Sequence, residues 1–114
     1  ALFGAARDGQ DEAAASDAEV RPDVVFLDPP YAMVAEDPVK SMARARRLLE
    51  RTAAGGCVVF HFEVGVLDAD DFDGDLDVDL REWGSTAIAM LWRKGEAPGY
   101  LQRRWAKARG EAGD

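Results

Sequence analysis

Cysteine and histidine each occur only once in this sequence of 114 residues. Cys57 has no second cysteine with which to form an internal disulfide, and one cysteine with one histidine cannot supply a Cys/His metal cluster. A scaffold held together by internal disulfides is therefore excluded, and we expect no metal ion. The low cysteine content favours a reducing, cytoplasmic setting.

Long apolar runs are also missing. No run approaches the roughly 20 residues that a membrane-spanning helix needs, and the N-terminus lacks the basic start and apolar stretch of a signal peptide. We therefore expect no membrane association. The length favours one domain, and the first residue is Ala rather than Met, so we expect a fragment or a processed product.

Basic residues are fewer than acidic ones, and the net charge is -8. Because phosphate contacts require Lys and Arg, the acidic excess argues against a nucleic-acid partner. The charge is unevenly distributed, however, with acidic residues crowded at 8–23 and 68–82 and basic residues at 40–51 and 103–109. Since the local field matters more for docking than the net charge, a nucleic-acid partner is not excluded.

A strand, a helix and a second strand follow one another in the middle of the chain. Residues 24–27 form a continuous apolar run, typical of a strand buried on both faces. Asp37-Pro38 predicts the N-cap and first residue of a helix, and Gly55-Gly56 predicts the end of that helix. The apolar residues 57–62 predict the second strand. Because a crossover through a helix joins parallel strands, we expect these two strands to be parallel.

The next part of the chain predicts an antiparallel hairpin. Apolar residues alternate with Asp and Arg over 76–82, which predicts a strand with one face in water. The mostly apolar residues 86–92 predict its partner, after turn residues at 83–85. A short basic helix is predicted around 100–109.

These elements suggest two parts of unequal size. Residues 1–94 are expected to form one partial domain, with an acidic loop at 8–22, and residues 95–114 a polar, basic tail. The aspartates at 68–75 invite a calcium hypothesis, but the EF-hand pattern fails because Ala69 and Leu80 stand at its first and last ligand positions. A solvated acidic loop is the better interpretation.

The informative motif is Asp28-Pro29-Pro30-Tyr31, directly after the first strand. In open α/β sheets, ligands bind beyond the carboxyl ends of the strands, so the motif stands where a site is expected. Proline has no N–H, so adjacent prolines offer carbonyl acceptors on a stiff, extended backbone. Asp28 adds a carboxylate and Tyr31 an aromatic face.

Such a set of acceptors suits an exocyclic amine of guanine or adenine. The nitrogen of that amine is a poor nucleophile, because its lone pair is delocalised into the ring. Acceptors on its hydrogens stabilise the positive charge that develops as a methyl group arrives. Asp28 is the candidate acceptor for the departing proton, and Tyr31 is the candidate to stack on a base swung out of its helix.

The segment Val24-Val25-Phe26-Leu27-Asp28-Pro29-Pro30-Tyr31 resembles the fourth-strand motif of the amino-methyltransferases. The order that follows is similar to that of the bacterial small-subunit rRNA guanine-N2 methyltransferases: a helix, Gly-Gly, a strand with Glu63 near its end, and a hairpin at 81–87 with an aromatic-Gly-x-Thr segment. The resemblance covers roughly residues 22–94. It implies an α/β, Rossmann-like fold, S-adenosylmethionine as cofactor, residues 28–31 as the catalytic site and small-subunit rRNA or the small ribosomal subunit as partner.

That family also carries a Gly-rich loop after its first strand and an acidic residue after its second, and this sequence contains neither. The resemblance therefore implies the C-terminal half of such an enzyme, with counterparts of its fourth to seventh strands. Asp28 is the one cofactor contact expected in this chain, and we expect the isolated chain to be inactive.

Two rival functions stay open. The same motif serves adenine-N6 methylation of DNA, and a half-domain without the Gly-rich loop could keep only a partner-binding role. Among the weaker signals, His61 is interpreted as a packed or hydrogen-bonded residue and Glu63 as a surface residue with a smaller chance of lining the site. The basic residues of the tail, interleaved with Tyr100 and Trp105, are candidates for RNA contact.

Overall fold

Four strands form one mixed sheet in the computed structural model, which describes residues 20–72 and 74–110. They are β1 (Val24–Leu27), β2 (Cys57–Glu63), β3 (Leu76–Trp83) and β4 (Thr86–Arg93), arranged in the order β1-β2-β4-β3. Most of the acidic loop predicted at 8–22 lies outside the described residues.

The strand directions agree with the α/β fold class predicted from the sequence. Strands β1 and β2 are parallel, with Val24 opposite Cys57 and Leu27 opposite Phe60. Strands β3 and β4 form the antiparallel hairpin, and β4 also pairs antiparallel with β2. The predicted parallel pair and C-terminal hairpin are therefore both confirmed.

Three α-helices accompany the sheet in the described residues: α1 (Tyr31–Glu36), α2 (Pro38–Glu50) and α3 (Gly99–Ala108). Asp37 caps α2 as predicted, since its side chain accepts a 3.0 Å hydrogen bond from the Lys40 amide. Helix α1 was not predicted, because six residues after two prolines carry no clear helical period. Among the described residues, no helix is long and apolar enough to cross a membrane.

Helix α2 ends at Glu50 and not at Gly55-Gly56, so the predicted end was wrong by several residues. The reason lies in β4: the guanidinium of Arg93 donates hydrogen bonds of 2.9 and 2.8 Å to the carbonyls of Leu49 and Thr52. These contacts satisfy carbonyls that a helix end leaves without partners. Gly55, at φ 78°, instead shapes the turn before β2.

The main core lies between one face of the sheet and helices α1 and α2. Its fully buried side chains include Val34 of α1, Phe60 and Phe62 of β2, and Leu91 of β4. A smaller cluster covers part of the opposite face, which we call the α3 face, where Leu101 packs with Cys57 and Trp92. The predicted helix in the basic tail is thus confirmed and packs on the sheet, while the division at residue 94 stays a prediction.

Strand β3 does not have the fully wet face that the alternation predicted. Asp77 is buried, with 4% of its surface exposed. Its carboxylate accepts hydrogen bonds from the amides of Gly95 and Ala97 and from the side chain of Gln102. Buried carboxylates require such partners, and only the fold of the tail onto β3 supplies them.

Strand β1 is not buried on both faces within the described part of the chain. Val25 and Leu27 face the main core, but Phe26 is 72% exposed and Val24 is 49% exposed on the α3 face. An apolar run is compatible with burial of both faces of a strand. It does not establish that the described residues bury the face that carries Val24 and Phe26.

Candidate functional site

The Asp-Pro-Pro-Tyr motif lies where β1 stops, at the carboxyl edge of the parallel pair. Leu27 is the last residue of β1 and pairs with Phe60, so the motif stands beside the end of β2. The side chain of Asp28 is 67% exposed. The sequence pattern thus located the motif correctly with respect to the sheet, while the catalytic roles of residues 28–31 stay predictions.

The two prolines connect the strand directly to α1. Pro30 has φ -55° and ψ 140°, the extended conformation predicted for it, and it stands at the N-cap of α1. Its carbonyl accepts hydrogen bonds from the amides of Met33 (3.0 Å) and Val34 (3.4 Å). That carbonyl is therefore engaged by the first turn of α1, which leaves Asp28 and the Pro29 carbonyl as the motif's candidate acceptors.

His61, near the end of β2, lies against Asp28. Its Nδ1 is 3.0 Å from Oδ1 of Asp28, and the imidazole is about one-third exposed. The two residues meet because side chains alternate along parallel strands in register: Asp28 continues the face of Phe26, and His61 continues the face of Val59. The hydrogen-bonded role expected for His61 is observed, but its partner was not predicted.

Tyr31 completes a chain of contacts across three strands and α1. Its hydroxyl lies 3.0 Å from Nε2 of His61 and 3.2 Å from Oγ1 of Thr86, the first residue of β4. The Tyr31 and His61 rings pack edge to face, with their centroids 5.5 Å apart. The phenol is thus held by the sheet.

Sequence analysis singled out Asp28 and Tyr31 but missed their two connectors, His61 and Thr86. The predicted parallel pairing could have pointed to His61, because residues at equivalent positions of two parallel strands lie at the same edge of the sheet. Thr86 gave no comparable signal, since its place depends on the register of β4 against β2, where it pairs with Glu63. Glu63 is exposed, and no hydrogen bond or ion pair joins its side chain to Asp28 or Tyr31.

The described residues leave the acceptor side of the motif open to the surface. Asp28 is open and offers a carboxylate, whose Oδ2 has no hydrogen bond to a described residue. One concave surface lies between β3 and α3, and another lies on the α3 face beside Phe26 and Val59. Neither of these two surfaces is lined by Asp28 or Tyr31.

The aspartates of the acidic loop at 68–75 stabilise the backbone of that loop. Two of them cap a short 3-10 helix (Ala69–Asp71). The carboxylate of Asp68 accepts a 3.0 Å hydrogen bond from the Asp70 amide, and the carboxylate of Asp71 accepts a 2.8 Å hydrogen bond from the Asp68 amide. Among the described residues, no group of three potential ligands could hold a metal ion.

No protein-family model and no curated protein matches the chain. Among solved structures, a conserved hypothetical protein from Streptococcus pyogenes is 23% identical, matches 75% of this chain and has a TM-score of 0.50. YhhF from Escherichia coli, for which methyltransferase activity is itself only proposed, is 18% identical, matches 68% of this chain and has a TM-score of 0.43. The chain spans 52% of the streptococcal protein and 40% of the other. Identities this low bear on the fold alone, and the streptococcal match supports the α/β architecture.

Proposed function

We propose that this chain forms the amine-binding part of an S-adenosylmethionine-dependent methyltransferase that acts on an exocyclic amino group of a nucleobase. The observation that carries the proposal is the placement of Asp28-Pro29-Pro30-Tyr31 at the carboxyl edge of two parallel strands, with an exposed carboxylate. Strand order and hairpin agree with the family resemblance, which covers the same segment.

Asp28 is the residue that engages the amine. One of its oxygens is held by His61, while the other is open to accept a hydrogen from the substrate. An N–H bonded to a carboxylate is polarised, and the carboxylate stabilises the positive charge that the nitrogen gains as the new N–CH3 bond forms. The surplus proton then passes to Asp28 as the acceptor.

The methyl group would come from S-adenosylmethionine, whose sulfonium makes it an electrophile: its S–CH3 bond would break as the N–CH3 bond forms, and the neutral thioether would leave. This chain's own residues orient the acceptor nitrogen. A rigid acceptor contributes more than a mobile one, because its orientation is set before the reaction begins. Pro30 and the hydrogen-bonded Tyr31 limit movement on the C-terminal side of Asp28.

We propose guanine N2 of small-subunit rRNA as the target. The hairpin segment at 81–87 and the position of Glu63 support this choice through the family resemblance. Exposed basic residues of α3, namely Arg103, Arg104 and Lys107, could face the phosphates. Adenine N6 of DNA is the competing substrate, because the motif is common to both reactions.

The test is methyl transfer from labelled S-adenosylmethionine under single-turnover conditions. The product of the full reading frame that contains this sequence is assayed on undermethylated small-subunit rRNA, on assembled small subunits and on DNA. We expect transfer to rRNA or subunits, abolished by Asp28→Ala. Labelling of DNA alone would keep the chemistry and reject the rRNA target, whereas labelling of none of them would favour a partner-binding role.

A further inference from the structure

We propose that His61 is a positioning residue that fixes Asp28 and Tyr31 for amine binding through a chain of polar contacts with a single direction, made of the 3.0 Å contact between Nδ1 and Oδ1 of Asp28 and two hydrogen bonds at the Tyr31 hydroxyl. The proposal rests on the proposed function for its catalytic meaning. The arrangement itself joins four elements: the end of β1, the start of α1, β2 and the start of β4.

The direction follows from what each group can donate. An ionised carboxylate only accepts, so Nδ1 of His61 must carry the hydrogen that points to Asp28. In a neutral imidazole the other nitrogen then accepts, so the Tyr31 hydroxyl donates to Nε2. The Tyr31 oxygen is left to accept from the Thr86 hydroxyl.

Each polar atom from Oδ1 of Asp28 to Oγ1 of Thr86 has a partner in this arrangement, while Oδ2 of Asp28 stays open. Reversal would need a hydrogen on Oδ1 of Asp28, which an ionised carboxylate does not have. One close polar contact and two hydrogen bonds therefore orient two side chains that stand two prolines apart in sequence. The contacts also assign both nitrogens of His61, so the imidazole acts through Asp28 and does not itself contact the substrate amine.

The same geometry gives Tyr31 a task beyond stacking. Its hydroxyl is committed to the sheet through His61 and Thr86, which sets the plane that the ring presents to a base. Stacking is sensitive to that plane. The sheet thus holds both the acceptor and the ring, and His61 contacts both of them.

The first experiment uses the 114-residue chain alone. His61 is the only histidine, so long-range ¹H–¹⁵N NMR reports on one imidazole without ambiguity. In the spectrum of the neutral ring we expect the hydrogen on Nδ1. Asp28→Asn should perturb the Nδ1 signal most, and Tyr31→Phe the Nε2 signal. A ring that averages between tautomers, or that carries its hydrogen on Nε2 alone, would overturn the proposal whatever the protein methylates.

The second experiment separates the two ends of His61 by substitution. In His61→Asn the side-chain amide nitrogen takes the place of Nδ1, so the bond to Asp28 is kept and that to Tyr31 is lost. In His61→Gln the side-chain amide reaches the place of Nε2, so the bond to Tyr31 is kept and the contact with Asp28 is lost. We expect His61→Gln to lower kcat by about 10- to 100-fold, as typical for loss of a supporting hydrogen bond, and His61→Asn to raise KM mainly.

Thr86→Val removes only the far end of the chain and is expected to have a smaller effect than either His61 variant. Thermal unfolding and the amide NMR spectrum of each variant confirm that it is folded. If both His61 variants match the wild type while Asp28→Ala is inactive, His61 is not a positioning residue and the proposed function survives. If the wild type methylates nothing, the proposed function fails and the tautomer measurement still decides the role of His61.

Discussion

The side-chain amide of Gln102 in α3 donates a 2.7 Å hydrogen bond to Oδ2 of Asp77 in β3. The same oxygen accepts hydrogen bonds from the amides of Gly95 (2.9 Å) and Ala97 (3.2 Å). One buried carboxylate thus ties the end of the hairpin, the following turn and the terminal helix together. The basic helix is held to the sheet by this polar contact as well as by the packing of Leu101.

We expect Asp77→Ala to lower the free energy of unfolding by about 2–4 kcal/mol, because it leaves the Gly95 and Ala97 amides without this acceptor and removes the shorter of two hydrogen bonds of the Gln102 amide. Asp79→Ala is the matched control: it lies on the same face of β3, but its ion pair is with Arg81 of the same strand. Urea denaturation measures both. Equal losses for the two variants would show that Asp77 does not anchor α3.

Asp28→Ala should lower kcat of methyl transfer by about 100-fold or more, the usual result of losing one preorganised polar group at the reacting atoms. Asp28→Asn keeps one acceptor oxygen but cannot take the proton, so we expect an intermediate loss. Stability should change little, because the side chain is largely exposed. A near-normal rate for Asp28→Ala in a single-turnover assay would show that the motif is a structural turn without a catalytic role.

Tyr31→Ala should weaken substrate binding by about 1–3 kcal/mol, the value of a base–aromatic stack. If only the aromatic ring mattered, Tyr31→Phe would have a mild effect on substrate binding. The structure changes that expectation, since the variant leaves Nε2 of His61 and Oγ1 of Thr86 without their shared partner. We now expect a measurable rise in KM for Tyr31→Phe, smaller than that for Tyr31→Ala, in steady-state assays.

The Arg46 guanidinium donates hydrogen bonds of 2.7 and 2.6 Å to the carboxylate of Asp75 and holds the pKa of that carboxyl below its usual range. A lowered folded-state pKa contributes stability above the unfolded pKa of about 3.9, and this contribution is lost as the pH falls through the folded pKa. We expect Asp75→Asn to cost about 1 kcal/mol or less at pH 7, because the pair is exposed.

The difference between wild type and Asp75→Asn should shrink as the pH falls below about 4. Asp70→Asn is the control, because the Asp70 side chain makes no ion pair with a described residue. Denaturant midpoints measured from pH 7 down to pH 3 provide the comparison. A difference that stays constant over this range would show that the pair with Arg46 does not contribute through the ionised carboxylate.

The 114-residue chain by itself should bind S-adenosylmethionine only weakly. Its sequence contains no Gly-rich loop after a strand, and Asp28 lines neither of the two concave surfaces described above. Isothermal titration calorimetry is the measurement. Micromolar affinity for the isolated chain would mean that the cofactor contacts lie among the residues present, and the assignment of its strands to the second half of the fold would then be wrong.

Local chemistry was sufficient for the elements that depend on neighbouring residues. The N-cap at Asp37, the strand at 57–62 and the antiparallel hairpin follow from side-chain period and turn residues, which act over a few positions. The end of α2 was misplaced because Arg93, more than 40 residues away, caps it. The burial of Asp77 was missed for the same reason, since its partners lie on the tail.

The sequence by itself determined that an Asp-Pro-Pro-Tyr motif follows a strand with a parallel neighbour, because apolar runs, prolines and a capped helix are local signals. Only the tertiary structure decided what holds that motif in place. His61 reaches Asp28 through the register of β1 against β2, and Thr86 reaches Tyr31 through the pairing of β4. Register is set by the packing of whole strands, so no local pattern contains it.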